Sequence, residues 1–421
     1  MDFKEAMEYI DGTLWFGSKP GLERVAELLR RLGEPQKDLK FVHIAGTNGK
    51  GSCAAMTASV LRAAGYRTGL FTSPYLFRFN ERMQINGEEI PNGALTRLIE
   101  KIKPIAEAMD EHPTEFELIT AAAMLWYQEE GCHIVVLEVG LGGRLDATNI
   151  IGAPEAAVIM NIGLDHTEIL GDTVEKIAAE KAGIIKPGAP CVLYGQSEAV
   201  EAVIRQKCRE TGSELILASP AEIDSEFDSP EGQVFSYKGR RYALPLLGEH
   251  QLKNAAVVIE TAKLLNRRGW QISDEAIERG LYAVSWPARF EILRHKPCFI
   301  VDGGHNPQCA VTVAENLQKY FPGKKHVLLI GVLADKDYAG LTELLAPAAD
   351  EFVCVTPDSP RALSAAALAE HLRRYGKPVT ACESIEEGVA AASHAAGEEG
   401  VACAVGSLYM AGKVRACFGL Y

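Results

Sequence analysis

The sequence predicts an α/β protein of two domains, on three observations. Residues 41–64 read as a strand that breaks into a glycine–lysine turn and continues as a helix. Short apolar runs alternate with helix-length segments along most of the chain, the pattern of parallel strands buried on both faces. After Pro287 that alternation restarts cleanly and gives five strand–helix units, which marks a separate Rossmann-like parallel-sheet domain. The expected boundaries are residues 1–287 for a P-loop domain and 288–421 for the second domain.

The first strand rests on Phe41, Val42 and Ile44, and the helix that follows is stopped by Gly65. Between them lies Gly46-Thr47-Asn48-Gly49-Lys50-Gly51-Ser52. A glycine-rich turn feeding a helix N-terminus is a phosphate cradle. Its backbone N–H groups have no intrahelical partner, and the helix dipole favours negative charge there. Lys50 is placed to reach the β- and γ-phosphates, and the Ser52 hydroxyl to sit on a magnesium ion. The spacing departs from the usual motif, because the position six before Lys50 is Ile44 and not glycine.

The 421 residues carry a net charge of −13, which excludes general nucleic-acid binding, since no basic field attracts a polyphosphate backbone. An anionic ligand then needs cations gathered locally, and Lys50, Arg78, Arg82, Lys181 and Arg289 stand near the loop motifs. The acidic start, MDFKEAMEYIDGTLWFGS, is no signal peptide, and no segment approaches the roughly 20 apolar residues of a membrane span. Ten cysteines occur without a C-x-x-C pair, which suits reduced thiols and a cytoplasmic location.

In order along the chain, residues 20–33 place Leu22, Val25, Leu28, Leu29 and Leu32 on one helical face, ending at Gly33. Residues 66–72 read as a second strand, and the charged, aromatic stretch after Ser73-Pro74 as a long loop. A helix over 117–130 leads into Ile134-Val135-Val136-Leu137, a buried strand with Glu138 near its end. A buried carboxylate needs a partner, and a magnesium ion opposite the P-loop supplies one. The following GLGGRL is not a dinucleotide fingerprint, because the third glycine position is Leu145. The strand AAVIMNIG ends near His166, a candidate metal ligand in the same layer as Glu138, and a helix follows over 172–183. A strand, a helix, a strand and a hairpin turning at Lys238-Gly239 come next. Then come a long helix ending at Gly269 and a shorter one from Ser273. In the second domain Asp302 and His305 lie just after the first strand, where such folds bind ligands.

Ten segments in order resemble the folylpolyglutamate synthase family, including its bifunctional dihydrofolate synthase form, of the Mur ligase superfamily. Among them are HIAGTNGKGS (43–52), TSPYLFRFNER (72–82), TEFELITAAA (114–123), EVGLGGRLDATN (138–149), EKAGIIKPG (180–188), GEHQLKNAA (248–256), WPARFE (286–291) and DGGHNP (302–307). The resemblance implies that the first domain is a Mur-ligase-type ATPase in which Gly46, Thr47, Asn48, Gly49, Lys50, Gly51 and Ser52 hold ATP. It also implies nucleotide contacts by Asn254, Arg289, Asp302 and His305. Magnesium would be held by Ser52, Ser73, Glu138 and His166, with Lys181 joining them once carbamylated. Lys50, Lys181 and His166 become the catalytic set. Thr114, Glu115, Phe116 and Glu117, with Leu145, Asp146 and Ala147, match segments near the pterin-bearing substrate. Tyr75, Ala288 and Gly304 depart from the family pattern, which has TSPH, WPGR and DGAHNP.

The activity so implied is ATP-dependent addition of L-glutamate to a folate γ-carboxylate through an acyl phosphate, and also to dihydropteroate, by a monomer. Only 40 residues precede the P-loop strand, too few for the separate UDP-sugar domain of cell-wall Mur ligases. Two other readings stay open on the residues alone: a P-loop kinase or NTPase with a partner-binding C-terminal domain, and a dinucleotide-dependent oxidoreductase.

Overall fold

The computed structural model describes residues 1–13 and 21–421 and forms two compact units. The first comprises Met1–Asp224, Ser236–Tyr242 and Leu252–Val284, and the second Ser225–Phe235, Ala243–Gln251 and Ser285–Tyr421. Pro20, at the head of the expected helix 20–33, lies outside the described residues; the helix itself runs Glu23–Arg31 and buries Val25, Leu28 and Leu29.

An eight-stranded sheet organises the first unit. Its spatial order is Glu88–Glu89, Met83–Ile85, Thr68–Phe71, Ile134–Glu138, Phe41–Ala45, Ala156–Ile159, Cys191–Tyr194 and Leu215–Ala218. The last six are parallel. Every residue of the strands Phe41–Ala45, Ile134–Glu138 and Ala156–Ile159 is buried, as apolar runs without alternation require. The chain steps from Phe41–Ala45 out to Thr68–Phe71, returns through Ile134–Glu138, and then crosses to Ala156–Ile159 on the other side. This reversal leaves a crevice at the carboxyl end of Phe41–Ala45, where open α/β sheets take their ligands.

The stretch expected as a long loop after Ser73 instead holds a 3-10 turn, Phe79–Arg82, and two short antiparallel strands, Met83–Ile85 and Glu88–Glu89. The reason is local: Asn86 and Gly87 both adopt positive φ (53° and 87°), the tight hairpin turn that Asn-Gly favours. A further helix, Asn92–Glu107, follows and buries Leu95, Leu98, Ile99 and Ile102. Pro104 within it obscures its helical pattern in the sequence.

The P-loop helix, Lys50–Ala63, packs closely on the helix Asp274–Tyr282. Ser59 Oγ donates to the Gly280 carbonyl at 2.7 Å, and a Cβ on Gly280 would lie 2.4 Å from Val60 Cα. Only glycine permits that approach. The expected hairpin about Lys238-Gly239 forms, but it gains a third strand, giving a sheet of Ile223–Ser229, Gly232–Tyr237 and Arg240–Leu244.

The second unit holds a six-stranded sheet in the order Glu291–His295, Cys298–Val301, Val401–Val405, His326–Ile330, Glu351–Cys354 and Val379–Ala381. Five strands are parallel, as expected. The edge strand Glu291–His295 is antiparallel, so the sheet is mixed. Its alternation is weak because four of its five residues are only half-buried, which hides it from a search for apolar runs.

Candidate active site

The phosphate loop is held from below by backbone. Thr47 and Asn48 donate their N–H groups to the Asn161 carbonyl (2.7 and 3.3 Å), and Thr47 Oγ1 exchanges hydrogen bonds with the Gly163 carbonyl and N–H, both 3.1 Å. Gly46 lies so close to the next strand that a Cβ there would meet Met160 Cβ at 2.6 Å. Gly49 takes φ +84°, and a Cβ on it would sit 2.8 Å from Asn254 Oδ1. Asn254 therefore packs directly on the loop. Gly49 heads the helix Lys50–Ala63 and brings no capping side chain, so the first-turn N–H groups face an incoming anion. Lys50 Nζ folds back onto the Thr47 carbonyl at 3.2 Å, and Ser52 is buried in the first turn.

Glu138 ends its strand in register with Ile44, two residues before Gly46, and is buried. Its Oε2 accepts the Ser73 N–H at 3.3 Å, which joins two of the expected metal ligands. His166 stands at the start of a short turn of helix with φ +50° and is partly exposed, its Nε2 3.9 Å from Asp165 Oδ1. Among the described residues no group of three or more His, Cys, Asp or Glu side chains gathers as a ready-made metal cage. Magnesium does not need one: it takes one or two protein oxygens and completes its shell with phosphates and water. A buried carboxylate hydrogen-bonded to Ser73 near the end of the phosphate-loop strand, with Ser52 in the first turn of the helix that follows the loop, is a donor set of that kind.

Lys181 is buried, near the end of the helix Val174–Ala182, which Thr173 caps. Burial pushes its ammonium down to about 7; the positive charge of Lys50 adds to the effect, and Asp165 and Asp146 oppose it. A lysine held near neutrality presents the free amine that attacks carbon dioxide, so the residue fits the carbamate that the resemblance implied. The glycines of GLGGR serve packing. A Cβ on Gly143 would lie 3.0 Å from Lys181 Cα, and one on Gly140 would lie 2.6 Å from Phe116 Cζ.

The segments assigned to the pterin side divide into two roles. Thr114 and Glu117 form the capping box of the helix Glu115–Glu129, and Glu117 also pairs with the buried Arg24 at 3.0 Å. Those side chains hold structure. Phe116 packs on Gly140 and Phe71, while Leu145 is exposed and Ala147 is buried beside it. Burial raises the Glu115 carboxyl above the usual range, and Arg82 at 3.4 Å partly offsets this. Arg82 is nearly buried, with its guanidinium over the Tyr75 and Phe79 rings. The pairing of Arg24 with Glu117 joins two helices distant in the chain, and only the fold reveals it.

In the second unit Asp302 follows the strand Cys298–Val301, and its carboxylate accepts N–H groups from Phe290 (2.8 Å) and Gly304 (2.7 Å). Burial raises its pKa, and Arg289 opposes that. A Cβ on Gly303 would come 2.8 Å from Arg289 Nη1, so Arg289 lies against the Asp302–Gly304 turn. His305 Nδ1 lies 3.2 Å from the Gly303 carbonyl, just before the helix that Asn306 caps and Pro307 begins. Arg289, Asp302 and His305 are thus one cluster.

A phosphate loop at a switch point, a buried carboxylate next to it and a near-neutral lysine define an ATP-dependent ligase of the Mur type. Comparison with known proteins agrees: residues 44–262 match the Mur ligase middle domain, and residues 288–408 the Mur ligase glutamate ligase domain. The chain is 40% identical to the dihydrofolate synthase/folylpolyglutamate synthase of Bacillus subtilis over 86% of each chain. It is 35% identical to the folylpolyglutamate synthase of Lacticaseibacillus casei over 99% of this chain and 98% of that one. A crystal structure of the Mycobacterium tuberculosis folylpolyglutamate synthase complexed with ADP and AMPPCP superposes with a TM-score of 0.90, at 32% identity and full coverage of both chains. E. coli FolC in complex with DHPP and ADP gives 0.86, at 31% identity, over 98% of this chain and 97% of that one. The chain belongs to the folylpolyglutamate synthase/dihydrofolate synthase family of Mur ligases.

Proposed function

We propose that this chain is the ATP-dependent ligase that adds L-glutamate to the γ-carboxylate of a reduced folate, and to dihydropteroate to make dihydrofolate. The observation that carries the reading is the meeting of phosphate loop, Glu138 and buried Lys181 at one end of one sheet. The substrate carboxylate attacks the γ-phosphorus of ATP, and ADP leaves. The glutamate amine then attacks the acyl carbon, and inorganic phosphate departs as the amide forms. Gly46–Ser52 bind the phosphates through backbone N–H groups, and Lys50 offsets charge on the transferring phosphoryl. Ser52, Ser73, Glu138, His166 and carbamylated Lys181 would hold magnesium, which neutralises phosphate charge when bound. Asn254, Arg289, Asp302 and His305 complete the nucleotide contacts, and Phe116 with Leu145 and Ala147 face the pterin-bearing substrate.

The same proposal makes the protein cytoplasmic and monomeric. All ten cysteines are free and eight are buried, as in a reducing compartment, and no described helix is long and apolar enough to cross a membrane. Purified protein given ATP and magnesium is expected to release ADP only when both glutamate and either tetrahydrofolate or dihydropteroate are present. ADP release indifferent to both would remove the ligase reading in favour of a P-loop NTPase.

A further inference from the structure

His43 is fully buried in the strand that feeds the phosphate loop, three residues before Gly46. Its Nε2 lies 2.9 Å from Thr148 Oγ1, and that hydroxyl lies 2.5 Å from Asp146 Oδ1. Counting protons fixes the direction. A hydroxyl has one hydrogen and an ionised carboxylate only accepts, so Thr148 donates to Asp146 and must accept from His43. His43 is therefore the neutral Nε2–H tautomer. Burial, with Lys186 as a second cause, pushes its imidazole down to about 3, so the neutral ring persists at physiological pH. Nδ1 is buried without a hydrogen-bond partner, a desolvation cost that an apolar side chain here would not carry.

The Asp146 carboxylate ties the ends of its loop together. Oδ1 also accepts the Thr148 N–H at 3.0 Å, and Oδ2 accepts the Leu141 N–H at 2.8 Å. With the Thr148 hydroxyl, these donors engage most of its roughly four lone-pair sites. The carboxylate is spent on shaping the segment that presents Leu145 and Ala147, whose first residue, Gly140, lies under Phe116. We propose that His43, Thr148 and Asp146 form a positioning relay that holds the 140–148 loop in register with the phosphate-loop strand. The relay thereby sets affinity for the pterin-bearing substrate without touching it. The substrate part rests on the ligase reading above; the loop part does not.

Thr148→Val keeps the shape and removes the hydroxyl, leaving the His43 Nε2–H buried and Asp146 one donor short. Hydrogen bonds to charged groups are the stronger ones, so the variant is expected to show at least tenfold faster amide exchange over residues 140–149. Exchange in Gly46–Ser52 should stay within about threefold of the parent, since those amides make none of the lost bonds. KM for dihydropteroate or tetrahydrofolate is expected to rise about tenfold with KM for ATP nearly unchanged, and Thr148→Ser, which keeps the hydroxyl, to restore both. Parent-like exchange over 140–149, or equal rises in KM for ATP and the pterin substrate, would overturn the relay. Should Thr148→Val not fold, His43→Gln and His43→Leu replace it. The first keeps a donor and is expected to exchange like the parent, the second to loosen the loop; equal behaviour overturns the proposal. A parent enzyme without folate-dependent ADP release would sink the ligase reading alone, and the exchange comparison would still decide the relay.

Discussion

Lys50 and Lys181 carry opposite burdens. Lys50 leans on its own loop and is free to turn toward a phosphate, so Lys50→Ala should leave the fold intact. Removing one preorganised charge from a phosphoryl-transfer site costs about 3–4 kcal/mol of barrier, so kcat is expected to fall by about 10²–10³ with an unchanged melting temperature. Near-parental turnover would discredit the assignment. Lys181 is a charge that the fold resists. Its folded pKa, about 7, lies below the unfolded value of 10.5, so the unfolded chain binds the extra proton and stability rises with pH between those values. In protein kept free of bicarbonate, where the residue is an uncarbamylated amine, Lys181→Met should therefore raise the melting temperature, most at pH 6 and progressively less toward pH 10; with bicarbonate and substrates it should abolish turnover. A melting temperature lower than the parent's at pH 6 would contradict this.

At the same scale the three family departures find physical accounts. Ala288 has φ +54°, in the left-handed region that glycine prefers. Its strain of about 1–2 kcal/mol is set against a buried methyl worth about 0.8 kcal/mol and the backbone entropy of about 0.5–1 kcal/mol that glycine would lose. These nearly cancel, so alanine is tolerated. Gly304 suits this chain because a Cβ there would meet Cys309 Cβ and Asp302 Oδ1, each at 2.7 Å. Tyr75 finds a partner in the Arg82 guanidinium, 5.2 Å from its ring centroid. None of this was legible in the sequence, where a φ value and a tertiary neighbour leave no trace.

Among elements, the parallel strands and the P-loop helix were legible because buried strands give unbroken apolar runs and the glycine turn punctuates them. The hairpin at Asn86-Gly87 carried a readable signal, hidden by the charged residues around it. The helix Asn92–Glu107 was masked by Pro104, and the strand Glu291–His295 by weak alternation. The docking of Asp274–Tyr282 on the P-loop helix depends on one glycine whose meaning appears only in three dimensions. Gly280→Ala forces its new methyl against Val60 backbone, 2.4 Å away, where no flexible side chain can yield. Overpacking of this kind costs about 1–3 kcal/mol, and because it displaces the phosphate-binding helix, KM for ATP should rise with the loss of stability. Unchanged denaturation midpoints would show that the helices separate without cost.

For the molecule as a whole, a chain with net charge −13 that handles ATP and folates must concentrate its cations. The first unit places Lys50 and Lys181 by the phosphate loop and Arg82 by the pterin-side segments, and the second places Arg289 against Asp302. Motif order made these clusters legible. Which side chains also build the scaffold was not: Thr114, Glu117 and Asp146 match segments on the pterin side, and their polar atoms are engaged in caps, an ion pair and a loop. The central claim is that a substrate carboxylate is activated as an acyl phosphate on this phosphate loop. Turnover of a folate labelled with ¹⁸O in its γ-carboxylate tests it most directly. The account predicts one ¹⁸O in the released inorganic phosphate, read by its ³¹P chemical shift. Unlabelled phosphate, its fourth oxygen drawn from water, would contradict it.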